Sequence, residues 1–78
     1  MDTFASPVRQ VAETVARRLE ASGMSKYELS RRTGIPRSTL YRKLDGMRAF
    51  DVYELYVISR ELGVPYTDLV AVDGALAS

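Results

Sequence analysis

Glycine at positions 23, 34, 46 and 63 closes four successive runs that carry helix start signals or apolar residues spaced three or four apart. No run alternates apolar and polar residues over the length a half-exposed strand requires. A chain punctuated in this way folds into short helices rather than sheet, and at 78 residues it has material for one core. A domain of that size buries only about 60–65% of the surface its unfolded chain exposes, so it cannot be divided further. The expected architecture is all-α, with five short helices in one domain over residues 1–70 and a short frayed tail over 71–78.

The start signals are specific. Ser6 followed by Pro7 is an N-cap and first helical residue, and Val8, Val11, Ala12, Val15, Ala16 and Leu19 then share one stripe as far as Gly23. Ser25 and Glu28 have the capping-box spacing, which opens a second helix with Leu29 inward and Ser30 small enough for another helix to approach. Gly34 allows a positive φ, Ile35 is an isolated apolar plug, and Pro36 presets a third helix running to Leu44, with Leu40 and Leu44 on one face. Asp51 and Glu54 form a second capping box before a fourth helix expected to bury Val52, Leu55, Ile58 and Leu62. A short fifth helix begins at Pro65, with Val64, Leu69 and Tyr66 closing the core.

Composition removes whole classes of chemistry. With no cysteine and no histidine the chain has neither a thiolate nucleophile nor the usual general base, and the common zinc ligand sets are missing. The expectation is no enzyme, no metal, no cofactor and no small-molecule substrate. No apolar run approaches the roughly 18 residues of a membrane span, and the N-terminus lacks the order of a signal peptide, so a cytoplasmic location without membrane contact is expected.

The net charge is only +1, but it is unevenly placed. Residues 23–48 hold Lys26, Arg31, Arg32, Arg37, Arg42, Lys43 and Arg48 against Glu28 and Asp45, a net +5. Residues 49–78 hold Arg60 against Asp51, Glu54, Glu61, Asp68 and Asp73, a net −4. The positive charge therefore coincides with the two short helices joined at Thr33-Gly34-Ile35. That unit has the form of a helix-turn-helix, whose second helix can enter a major groove.

At Leu29, Ser30, Gly34, Ile35, Leu40 and Gly46 the chain resembles the lambda-repressor-like, Cro-type family of regulators. The likeness continues through "YELYVISRELGVPYTDLV" and covers roughly residues 8–70. It implies a double-stranded DNA operator as partner and a transcriptional regulator of the repressor or Cro kind. It further implies that Arg37, Ser38, Tyr41 and Arg42, with Thr39 at the margin, face base edges, and that Lys26 and Arg48 face phosphates. The arginines also have chemical support, since a guanidinium can donate two parallel hydrogen bonds to guanine. Lys43 is an additional phosphate candidate on charge alone. It stands where the family usually has an apolar residue, so the third helix is expected to rotate slightly as Leu44 takes over the packing.

Simpler roles compete with these. Arg31 and Arg32 have the spacing of exposed ion pairs with Glu28, as Arg17 has with Glu13, while Arg18 and Asp68 read as solvated surface charge. Tyr27, Tyr53, Tyr56 and Tyr66 read as core or rim aromatics. One recognition helix reads few base pairs, so a homodimer on half-sites about 34 Å apart is expected, held by the fifth helix, the tail or the exposed part of the fourth. The alternative is a helix-turn-helix module that holds a protein, as an anti-repressor or antitoxin would.

Overall fold

The computed structural model describes residues 6–72, which form five helices in the order α1 (Pro7–Ser22), α2 (Lys26–Thr33), α3 (Arg37–Leu44), α4 (Val52–Leu62) and α5 (Tyr66–Val70). No strand occurs among the described residues. The expected tail, 71–78, lies largely outside them.

Each boundary follows from local chemistry. The Ser6 hydroxyl accepts from the Arg9 amide at 3.2 Å, with Pro7 in the first helical position. Ser25 accepts from the Glu28 amide at 3.0 Å, but the Glu28 carboxylate turns away to Arg31 and Arg32 instead of completing a capping box. The second box does close: Asp51 Oδ1 accepts from the Glu54 amide at 2.7 Å, and Glu54 Oε1 accepts from the Asp51 amide at 2.8 Å. Pro36 and Pro65 stand just before their helices as caps, one residue earlier in role than the sequence suggests.

The core comprises Val15 and Leu19 of α1, Leu29 of α2, Ile35 of the turn, Leu40 and Leu44 of α3, Leu55 and Ile58 of α4, and Leu69 of α5. Val52 is a correction, because it is 71% exposed rather than buried. As the first residue of α4 it projects past the end of the stripe that Leu55 and Ile58 direct inward. Arg18 and Asp68 are a second correction. They join α1 to α5 through a 2.7 Å bond instead of standing as separate surface charges. Arg17 donates to Thr14 rather than to Glu13.

The turn between α2 and α3 is fastened from inside. Gly34 has φ 81°, where a side chain would be strained. Buried Ser30 donates through its hydroxyl to the Ile35 carbonyl at 2.6 Å, while Thr33 Oγ1 donates to the Leu29 carbonyl and accepts from the Ile35 amide. Ser30 thus does more than leave room for a neighbour. Ser30→Ala leaves that buried carbonyl without its partner and is expected to cost about 1–2 kcal/mol of stability. An unchanged thermal midpoint would show the bond to be dispensable.

Candidate nucleic-acid interface

Helix α3 packs on α1 and α2 through Leu40 and Leu44, which are 0% and 7% exposed. With a period of 3.6, that inward pair turns the remaining positions outward. Arg37, Ser38, Tyr41 and Arg42 are exposed and Thr39 is half-buried. Arg48, in the loop after α3, is exposed as well, and with Ser38, Thr39, Arg42 and Lys43 it lines an open cleft of about 300 Å³. Three of the five residues expected at base edges and two of those expected at phosphates, Lys43 and Arg48, therefore line one cleft.

Lys26 reaches that surface from the start of α2. Its ammonium lies over the Tyr41 ring, 5.5 Å from the centroid, while the Arg37 guanidinium lies 5.2 Å from the centroid of Tyr27. Both separations are within the range of cation–π attraction. Tyr27 is 54% exposed and belongs to this surface, not to a rim remote from it. Its proximity to Arg37, ten positions along the chain, has no signature in the sequence. Arg9 is likewise unheralded: a Cβ placed on Gly46 would lie 3.8 Å from the Arg9 Cα, which puts the first turn of α1 beside the end of α3.

Lys43 is different. Its ammonium donates to both oxygens of Glu54, at 2.6 and 2.7 Å, and the two side chains are only 12% and 13% exposed. A charge held this way has its field cancelled at short range. The geometry thus argues against a phosphate role for Lys43 and for a structural one, as a tie between α3 and α4. The Lys43 side chain is 12% exposed and Leu44 is 7% exposed, so both are largely withdrawn from solvent.

Arg31 and Arg32 are also matched by acids. Both bond the Glu28 carboxylate, and Arg32 approaches Glu61 at 3.8 Å. Hydrogen bonds from Arg31 and then Arg32 hold the Glu28 carboxyl down to about 2, so it is fully ionised at neutral pH, and the same bond raises Arg31. Among the described residues of the cationic segment, Lys26, Arg37, Arg42 and Arg48 have no carboxylate partner, and all four are exposed.

Among the described residues no three His, Cys, Asp or Glu side chains gather as a metal site would require, no buried side-chain polar atom is left without a partner, and no helix is long and apolar enough to cross a membrane.

No curated protein matches the sequence. Among solved structures, the restriction-modification controller protein C.AhdI from Aeromonas hydrophila is similar at a TM-score of 0.75 and 18% identity, over 80% of this chain and 94% of that one. At that identity the likeness is one of fold. A sequence model of the Cro/C1-type HTH DNA-binding domain matches residues 15–73, which includes α2, α3 and the turn between them. The chain belongs to the Cro/C1-type helix-turn-helix DNA-binding family.

Proposed function

We propose that this DNA-binding regulator recognises a specific double-stranded operator by inserting α3 into the major groove. Arg37 and Arg42 donate to guanine edges, Ser38, Thr39 and Tyr41 make shorter-range contacts to bases or the adjoining backbone, and Lys26 and Arg48 bond phosphates. The observation that carries this reading is the set of four exposed cations without carboxylate partners around a helix whose opposite side is buried. A solvated face of ordinary kind would distribute acids among its bases, as Glu28 does for Arg31 and Arg32.

The protein binds as a homodimer in this reading, since an eight-residue recognition helix spans too few base pairs for useful specificity. Val52 and Tyr53, each 71% exposed, join Tyr56 and Tyr66 in an open apolar groove on α4 and α5, which shares no lining residue with the cationic cleft. A second copy covering this groove removes its aromatic rings from water. It also leaves the anionic third of the chain clear of the phosphates.

Selection of bound sites from random duplex DNA, followed by salt titration on the selected sequence, tests both parts. Two-fold symmetric sites are expected, with a log–log salt slope of about −1.8 per protomer from the two phosphate-bonding cations, Lys26 and Arg48, or about −3.6 for the dimer. No enriched sequence, or a slope close to zero, would remove the proposal. Enrichment of single asymmetric sites would remove the dimer alone.

A further inference from the structure

The reciprocal cation–π contacts between α2 and α3 point to a role for Tyr27 that rests on the reading of Arg37 as a base contact. We propose that Tyr27 is a positioning residue for recognition: its ring seats the Arg37 guanidinium and thereby sets the discrimination Arg37 achieves at its base pair. Tyr27 follows Lys26 in the first turn of α2, and Arg37 opens α3.

Neither residue is placed as stability alone would place it. Tyr27 leaves 54% of its surface in water, and no hydrogen bond engages its hydroxyl. Arg37 sits at the positive end of a helix dipole, in a first turn with no acidic residue and behind an N-cap that makes no side-chain bond. A cation there is electrostatically disfavoured, and the electron-rich face of Tyr27 offsets that disadvantage.

The geometry suits readout. A guanidinium stacked by one face keeps the N–H donors of its edge available, and guanine O6 and N7 require two such donors in parallel. Arginine otherwise loses the freedom of several rotatable bonds when it binds. A ring that already confines the side chain reduces that loss for the correct base and gives nothing to a mismatched one. Tyr41 performs the reciprocal service for Lys26, so each helix contributes one cation and one ring. These outer contacts complement the inner clasp of Ser30 on Ile35.

The test is a mutant cycle on a selected operator and on versions changed one base pair at a time. Tyr27→Leu is expected to lower discrimination about 3- to 10-fold at the base pair affected by Arg37→Ala, with an unchanged salt slope. Tyr27→Phe should retain wild-type discrimination, because the ring and not the hydroxyl carries the effect. Tyr27→Leu combined with Arg37→Ala should be no worse than Arg37→Ala. Additive losses in the double variant, equal losses from Phe and Leu, or full discrimination with Leu would each overturn the role of Tyr27. If Arg37→Ala itself leaves every base preference intact, the reading of Arg37 fails and takes the inference with it, a result the cycle separates from the others.

Discussion

Alanine at both Arg37 and Arg42 is expected to bring binding of a selected operator down to the level of unrelated duplex. Each bidentate arginine–guanine contact discriminates by about 1–3 kcal/mol, so losing two per protomer removes about 2–6 kcal/mol, roughly 30-fold to more than 10⁴-fold. The fold should survive, because both side chains are exposed and Arg42 makes no internal ion pair. The measurement is the ratio of affinities for selected and scrambled duplexes, alongside a thermal midpoint that shows the variant to be folded. A folded variant that kept its ratio would place recognition on a different surface of the molecule.

Lys43→Ala should behave in the opposite way. Removing the ammonium leaves Glu54, 13% exposed, with only the Asp51 amide to bond its carboxylate. Breaking a buried pair by deleting one partner costs about 3–5 kcal/mol, and the residual exposure here lowers the expectation to about 2–3 kcal/mol. For a chain of this size that corresponds to a fall in melting temperature of roughly 8–24 °C. At temperatures where the variant is folded, its salt slope on DNA should match the wild type. A slope flattened by about 1 at unaltered stability would instead restore Lys43 as a phosphate contact. Lys43→Met with Glu54→Gln removes both charges while keeping the stem and a side chain able to cap α4, and it should recover most of the loss.

The two substitutions mark where sequence patterns were informative. Charge segregation between residues 23–48 and 49–78 was visible at once, and so was the helical phase that turns Leu40 inward and Arg37 and Arg42 outward. The pairs of Arg31 and Arg32 with Glu28 within α2 were legible from their spacing, but the pairs between elements were not. Glu54 looked sufficiently explained as a capping residue, yet the same carboxylate both caps α4 and holds Lys43 from α3. Lys43 could not be distinguished from Arg42 by charge, since the difference between them is a partner eleven positions away.

Tyr27 shows the same limit among the aromatics. The sequence reads it as a core or rim aromatic, and only the reversal at Gly34 brings it under Arg37. Val52 shows the limit at a helix end. It has the correct spacing to join Leu55 and Ile58, but periodicity says nothing about where the neighbouring surface stops, and the packed stripe begins one turn later.

The sequence by itself determined the helices, the Ser6, Ser25 and Asp51 caps, the glycine-hinged turn and the side of α3 that faces outward. All of these depend on interactions within about four residues or on a helical period that any stretch of chain displays. The tertiary structure decided which cations remain free of carboxylates, which ring lies under Arg37, and which apolar side chains of α4 stay uncovered. Those outcomes depend on distances between residues ten to fifty positions apart, which exist only after the chain has closed around its core.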